Sequence, residues 1–248
     1  MRHITLKLGR FNTAILIGLL SIIFSMTITY IAISLFKIPR VPYVFIFSVG
    51  VPAIVAPVVS WFFLGVYFKQ IEMEKQMIYL ATHDSLTGLL NRRAFFEQAQ
   101  HIFNNSEKLS TRLAILYLDI DNFKNINDTY GHSGGDTILS SFQSILVHQK
   151  NEKQVVSRFG GEEFVVLIED ANLNSIKKTI SQIQNRISNH NQEINFTVSI
   201  GVFLFLPSAN TDLDYAILKA DKALYKAKSS GKDCVWQYID GYYQMLTT

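Results

Sequence analysis

Two uninterrupted apolar stretches occupy the N-terminal part of the chain. Residues 11–36 and 41–68 contain no charged side chain, and each stretch exceeds the roughly 20 residues that a helix needs to cross a bilayer. They predict two transmembrane helices joined by a very short connection. A cleaved signal peptide is the rival interpretation of the first stretch, but the apolar run is too long and no Ala-x-Ala site follows it.

Beyond residue 78 the apolar positions form shorter blocks of two kinds. Some recur at every third or fourth residue, which is typical of helices, and others are short continuous runs of strand length. Two such runs flank Gly160-Gly161, a pair suited to a hairpin turn with positive φ. Because helices and strands interleave with at least one hairpin, the sheet cannot be all parallel, and the predicted class is α+β. The predicted helices are centred on 95–103, 138–146, 176–187 and 216–227, the strands on 113–118, 155–159, 162–168, 196–206 and 235–239, and a loop rich in Asn, Asp and Gly follows the first strand.

Charge divides the chain in the same way. The first 70 residues carry six basic and no acidic side chains, whereas the remainder carries 17 basic and all 20 acidic ones. Nucleic-acid binding needs Lys and Arg clustered on the folded domain, which here is mildly acidic, so we do not expect a nucleic-acid partner. Basic residues before the first stretch and after the second outnumber those between them, which favours cytoplasmic termini. The single cysteine, Cys234, excludes an internal disulfide and suits a reducing compartment.

Carboxylates stand where strands are predicted to end. Asp119 and Asp121 follow an apolar run, and Glu162-Glu163 directly follows the glycine pair. Oxygen ligands that converge from two adjacent strands suit Mg²⁺, especially when substrate phosphates complete its octahedron. Any one of these acidic residues, taken alone, is more simply interpreted as a solvent-exposed surface residue.

The segment Gly160-Gly161-Glu162-Glu163-Phe164 resembles the GGEEF form of the signature of the GGDEF family, the diguanylate cyclases. Further segments resemble that family in the same order: 84–95 (DSLTGLLNRRAF), 119–132 (DIDNFKNINDTYGH), Gly135-Asp136 and 220–232 (ADKALYKAKSSGK). The resemblance covers about residues 78–240. It implies a palm-like domain similar to the nucleotidyl cyclase fold, with a central and mostly antiparallel sheet. The implied reaction joins two GTP molecules into cyclic di-GMP and releases two pyrophosphates.

Site residues follow from the same resemblance. It implies two metal ions per active site, Mg²⁺ or Mn²⁺, and a Gly160-Gly161 turn that lets the backbone approach the α-phosphate. Glu162 matches a position that serves the metal or helps to deprotonate the attacking 3′-hydroxyl. The implied metal ligands are Asp119, the carbonyl of Ile120, Glu162 and Glu163; the implied guanine pair is Asn127 and Asp136; and the implied phosphate ligands are Lys124, Lys228 and Lys232 with the amides of Phe123 and Lys124.

Assembly and regulation are also implied. Each domain holds one GTP, so two domains must face each other as a homodimer. Family members with product inhibition carry an RxxD motif, but Asn151 and Gln154 stand at those positions here. Neither residue offers the charge-assisted contacts of Arg and Asp, so we expect that inhibitory site to be absent. Lys232 stands where the family often has Arg, and a lysine cannot make the bidentate contact with phosphate that an arginine makes.

The predicted protein is therefore a multi-pass protein of the bacterial inner membrane with a cytoplasmic catalytic domain, in contact with the lipid bilayer. The alternatives are a catalytically silent GGDEF domain that binds GTP and signals by protein contact, and a membrane scaffold whose soluble domain only dimerises. Three sources of regulation are compatible with the sequence: the bilayer, an unidentified membrane sensor partner and the expression level. The predicted organisation is an N-terminus at 1–10, a first transmembrane helix at 11–36, a periplasmic loop at 37–42, a second transmembrane helix at 43–68, a linker helix at 69–82 and the catalytic domain at 83–248.

Overall fold

The computed structural model describes residues 2–36, 42–149, 153–189, 194–208 and 211–247. The chain divides into two compact units, Met1–Tyr79 and Leu80–Thr248. Of the periplasmic loop predicted at 37–42, residues 37–41 lie outside the described residues, and Pro42 is already the first residue of the second helix.

The first unit contains two long helices, α1 (Arg2–Phe36) and all but the last three residues of α2 (Pro42–Thr82). Both are long and apolar enough to cross a membrane. Arg10 joins them, because its guanidinium donates to the Trp61 carbonyl at 2.9 Å and lies 4.0 Å above the Trp61 ring. Gly65 leaves room for this arrangement, since a Cβ there would crowd the Arg10 side chain. These contacts hold α1 and α2 together as a helical hairpin.

The second unit is a seven-stranded sheet with helices on both faces, in the strand order β1-β3-β4-β2-β5-β6-β7 over its described residues. Two strand pairs, β1–β3 and β5–β6, are parallel and the others are antiparallel. The predicted α+β class with a mostly antiparallel sheet is therefore confirmed. The strands are β1 (Leu90–Asn91), β2 (Leu113–Ile120), β3 (Gln154–Gly160), β4 (Glu163–Glu169), β5 (Val198–Phe205), β6 (Val235–Ile239) and β7 (Tyr242–Met245), and the helices are α3 (Arg92–Leu109), α4 (Phe123–Gln149), α5 (Leu173–Ser188) and α6 (Leu213–Ser229).

Strand β2 is buried along its whole length because helices cover both faces of the sheet. Side chains alternate between the faces. Leu116 and Leu118 pack into the core beneath α4 and α5, whereas Ile115 and Tyr117 pack into the core beneath α3 and α6. Asp119 lies on the same face of β2 as Ile115 and Tyr117, so its carboxylate points toward the side of the sheet that carries α6.

The polar segment after β2 is not a loop, so that prediction was wrong. Helix α4 begins at Phe123, and its backbone leaves the helical conformation at Gly131, where φ is 73°. Phe123 and Ile126 bury their side chains in the core, and this packing holds a helix whose Asn-rich and Gly-rich sequence has weak intrinsic propensity. The short strands β1 and β7 were also not predicted, since two and four residues give little periodic signal.

Candidate active site

The acidic residues meet where β2 ends and β4 begins. Asp119 lies directly opposite Glu163 in the antiparallel register, and the Ile120 amide donates to the Glu162 carbonyl at 3.3 Å. Asp119 is only 3% exposed, whereas both glutamates are half-buried. The register therefore places Asp119 beside Glu163 on adjacent strands, and the metal site expected there stays a prediction.

Lys228, from the last turn of α6, approaches this group. Its Nζ lies 2.7 Å from Oδ2 of Asp119. Burial nevertheless raises the pKa of Asp119 to about 6: Lys228 lowers it, and the negative charges of Glu162 and Glu163 raise it further. Lys228 thus contacts Asp119, while Glu162 and Glu163 add negative charge around it, and additional positive charge would stabilise these carboxylates.

These oxygens fit a divalent metal. Asp119 and Glu163 offer carboxylate oxygens, and Ile120 adds a backbone carbonyl at the same strand end, which is a donor set that Mg²⁺ accepts. Across the described residues, no three Asp, Glu, His or Cys side chains converge closely enough to hold an ion alone. Substrate phosphates and water would therefore have to supply the remaining ligands.

Tyr117 is a residue that the sequence reasoning missed. It lies two positions before Asp119 on the same face of β2 and is 8% exposed. Burial, together with the negative charge of Glu163, raises the pKa of Tyr117, so its hydroxyl stays protonated beside Glu163. Its two-residue spacing from Asp119 was the available signal, because alternate residues of a strand share a face.

Arg158 supports the glycine turn. Its Nε and Nη2 donate to the Gly161 carbonyl at 3.0 and 2.7 Å, and its Nη1 donates to Oδ1 of Asp84 at 2.9 Å. The same Asp84 oxygen accepts from the amide and hydroxyl of Thr87 at 2.8 and 2.6 Å. Gly161 has φ of 49°, and a Cβ on Gly160 or Gly161 would meet no protein atom within 4 Å. The glycines therefore serve the backbone conformation and leave open space in front of the turn.

The residues that resemble a guanine-binding pair lie on α4, on either side of its break. Asn127 is half-buried and rests against Gly135, where a Cβ would overlap its Oδ1. Asp136 and Lys124 are exposed, while Phe123 is buried. The break at Gly131 thus separates Asn127 from Asp136 along the helix while Gly135 keeps the Asn127 side chain close to the second segment.

The last lysine lies just beyond α6. The Nζ of Lys232 donates to Oδ1 of Asn122, which follows β2. Lys228 and Lys232 therefore both contact groups at the carboxyl end of β2. Of the two RxxD positions, Asn151 lies outside the described residues, and Gln154 is buried and donates to the Thr179 hydroxyl at 3.1 Å.

A mixed sheet with helices on both faces, carboxylates at adjoining strand ends and lysines beside them defines a class of α+β domains suited to metal-dependent nucleotide chemistry. Residues 81–234 match the family model described as diguanylate cyclase, GGDEF domain. The chain belongs to this family.

Relatives and solved structures agree with the family. The chain is 37% identical over 165 residues to diguanylate cyclase DgcZ of Escherichia coli, a match that covers 63% of this chain and 54% of that protein. It is 34% identical over 171 residues to diguanylate cyclase A of Treponema denticola, covering 64% and 45%. The chain therefore matches about half the length of these curated relatives. Among solved structures, the coiled coil and GGDEF domain of DgcB from Caulobacter crescentus, in complex with c-di-GMP, is similar with a TM-score of 0.65 at 27% identity, covering 71% of this chain and 95% of that one.

Proposed function

We propose that this protein is a diguanylate cyclase that condenses two GTP molecules into cyclic di-GMP with release of two pyrophosphates. The observation that carries the proposal is the pairing of Asp119 with Glu163 across β2 and β4, with Lys228 in contact, in a chain of the GGDEF family. A silent domain would have no need for a buried carboxylate that is only partly neutralised, because such a group costs stability.

The strand-end residues would hold two divalent ions, Mg²⁺ or Mn²⁺, through Asp119, Glu162, Glu163 and the Ile120 carbonyl. Such ions, when bound, polarise the phosphoryl oxygens and stabilise the charge that develops on them. Tyr117, whose protonated hydroxyl lies beside Glu163, would orient that carboxylate by donating a hydrogen bond to it. Arg158 holds the Gly160-Gly161 turn, whose open side lets the α-phosphate approach the backbone.

The remaining contacts would position the nucleotide. Asn127 and Asp136 would bind guanine, since a carboxylate can accept from the N1–H and N2–H₂ groups that adenine lacks. The terminal phosphates would be held by Lys124, Lys228 and Lys232 with the amides of Phe123 and Lys124. Phosphoryl transfer depends mainly on positioning and charge stabilisation, which this set of side chains can provide.

Turnover would require a homodimer, because each 3′-hydroxyl must attack the α-phosphorus of the GTP on the other domain. Helices α1 and α2 would anchor the chain in a bacterial inner membrane, with the catalytic domain in the cytoplasm. The observations that support the anchor are the length and apolar composition of both helices. Confinement to a membrane raises the effective concentration of the two domains.

Product inhibition through an RxxD site is not expected. Gln154 is buried and bonded to Thr179, so it does not offer a side chain to a ligand. The initial rate should stay unchanged when low micromolar cyclic di-GMP is added to a GTP turnover assay. Clear inhibition in that range would contradict the prediction.

A turnover assay tests the proposed function. The purified full chain is incubated with GTP and Mg²⁺, and cyclic di-GMP is sought by mass spectrometry. Glu163→Gln should abolish product formation, whereas Glu169→Gln, at the other end of the same strand, should leave it intact. GTP binding without product would favour the silent signalling domain, and neither binding nor product would favour the scaffold.

A further inference from the structure

Asp121 is a buried carboxylate that the proposed metal and nucleotide contacts do not use. It lies two residues after Asp119 and is 4% exposed. Its Oδ1 accepts from the Ser199 hydroxyl at 2.6 Å, and its Oδ2 accepts from the Thr197 hydroxyl at 2.7 Å and from the Asp233 amide at 3.0 Å. Three donors from two other segments of the chain thus converge on this one side chain.

These contacts distinguish Asp121 from Asp119. Both oxygens of Asp121 are already engaged by protein donors, and its own amide donates to the Thr197 carbonyl at 2.9 Å. Asp119, by contrast, faces a lysine and two glutamates. A carboxylate whose two oxygens both accept short hydrogen bonds from the protein serves as a structural acceptor, because a metal ion would have to compete with those donors.

The third donor belongs to an unusual turn. Gly231, Lys232 and Asp233 have φ values of 117°, 65° and 47°, so three consecutive residues have positive φ. For a residue other than glycine this conformation is strained, and surrounding contacts must hold it in place. The Lys232 amide donates to the Ala227 carbonyl at 3.2 Å, and the Asp233 amide donates to Asp121. Asp121 therefore holds one of the two amides that keep the turn left-handed.

We propose that Asp121 is a positioning residue that directs Lys232 toward the phosphates of GTP by fixing the Lys232–Asp233 turn through the Asp233 amide. Nζ of the same lysine donates to the neighbouring Asn122. Both the backbone of the turn and the Lys232 side chain therefore hydrogen-bond to residues that follow β2. The inference rests on the proposed function in one respect, the assignment of Lys232 to the terminal phosphates.

Two substitutions of Asp121 separate positioning from metal binding. In Asp121→Asn the amide oxygen can accept from Thr197 and Asp233, while the amide nitrogen donates to Ser199, whose hydroxyl can also accept. In Asp121→Ala every acceptor is lost. We expect the Asn variant to keep the KM for GTP and the Mg²⁺ requirement within about threefold of the parent, and the Ala variant to raise KM on the order of tenfold with a smaller change in kcat.

A double-mutant cycle with Lys232→Ala tests whether Asp121 acts through that lysine. If it does, adding Asp121→Ala to Lys232→Ala should change KM by less than about twofold, because the turn then has no phosphate contact left to position. All variants are measured as the full chain in detergent, and thermal unfolding is recorded alongside. General destabilisation would lower the melting temperature but would not make the KM effect disappear in the Lys232→Ala background.

Two results would overturn the proposal. One is an Asn variant as impaired as the Ala variant with a raised Mg²⁺ requirement, which would make Asp121 a metal ligand. The other is an Asp121→Ala effect on KM that is equally large in the parent and in the Lys232→Ala background, which would make the role of Asp121 independent of Lys232.

If Asp121→Ala does not fold, Asp121→Ser replaces it, since the short serine hydroxyl does not reach the Asp233 amide. If the parent makes no cyclic di-GMP, the proposed function fails, and the cycle is then measured as dissociation constants for GTP.

Discussion

Asp84 illustrates what a single side chain contributes outside the strand-end cluster. Its Oδ1 accepts from Thr87 and Arg158, and Arg158 in turn holds the Gly161 carbonyl. Burial raises the pKa of Asp84, but the hydrogen bonds from Thr87 and Arg158 outweigh burial and leave that pKa below its usual 3.8. Asp84, which lies 74 positions before Arg158 in the sequence, therefore helps to support the Gly160-Gly161 turn.

The lowered pKa of Asp84 predicts a pH-dependent stability. Because the folded-state pKa lies below the unfolded value of 3.8, the charge stabilises the fold above that value, and this contribution is lost as the pH falls through the folded-state pKa. Asp84→Asn keeps an acceptor oxygen and removes the charge. The difference in unfolding free energy between parent and variant should be constant from roughly pH 7 to 5 and shrink below about pH 4. Denaturant titrations over this pH range measure it, and a difference that stays constant to about pH 3 would contradict the assignment.

Gly135→Ala tests the proposed guanine contact. A Cβ at this position would overlap Oδ1 of Asn127 and stand 3.1 Å from Cζ of Phe123. The Asn127 amide must then rotate away, so the KM for GTP should rise on the order of tenfold. Stability should change by less than about 1 kcal/mol, because alanine favours the helix and the displaced group is the end of a flexible side chain. Thr137→Ala on the same helix is the control, and an unchanged KM in Gly135→Ala would argue against a role for Asn127.

At the scale of elements, the register between β2 and β4 decides which acids meet. A shift of one residue would move Glu163 to the opposite face of the sheet, away from Asp119. Apolar alternation protects the register, because the β4 residues Val165 and Leu167 lie in the core beneath α3 and α6, on the same face as Glu163. The catalytic arrangement thus depends on ordinary core packing along the rest of the strand.

The packing of α6 on β5 gives a second element-scale prediction. A Cβ on Gly201 would overlap the Ala220 carbonyl oxygen and the Leu224 amide nitrogen, both of which are backbone atoms. Gly201→Ala should therefore force α6 away from the sheet and destabilise the fold by about 3 kcal/mol. Because α6 carries Lys228, cyclase activity should fall as well.

Thermal unfolding followed by near-UV circular dichroism measures the Gly201→Ala effect. Lys222→Ala, at an exposed position of the same helix, is the matched control and should unfold like the parent. A Gly201→Ala variant with the parent's melting temperature would show that α6 does not pack closely on β5.

At the scale of the whole molecule, the proposed role of the helical hairpin is to bring two catalytic domains together. Specific activity of residues 78–248 alone should fall as the protein is diluted, because free domains must meet in solution. The full chain in nanodiscs should keep its specific activity over the same dilution. Equal activity of both forms at low concentration would contradict this role for α1 and α2.

Local patterns in the sequence were sufficient for the class of fold, the hairpin and the strand-end acids. Apolar periodicity and a glycine pair depend on neighbouring residues, so they can be read without the tertiary structure. The helical start of α4 could not be read in this way, because Phe123 and Ile126 hold it through contacts with the core. Arg158 carried no local signal beyond its place two residues before the glycine pair.

The sequence by itself determined that Asp119 and Asp121 would lie together at the end of a buried strand, since both follow one apolar run. Only the tertiary structure decided how they differ. Asp119 faces Glu163 and Lys228, whereas Asp121 is enclosed by Thr197 and Ser199 of a neighbouring segment and by the Asp233 amide. These donors lie 76 to 112 positions further along the chain, and only folding brings them within hydrogen-bond distance of Asp121.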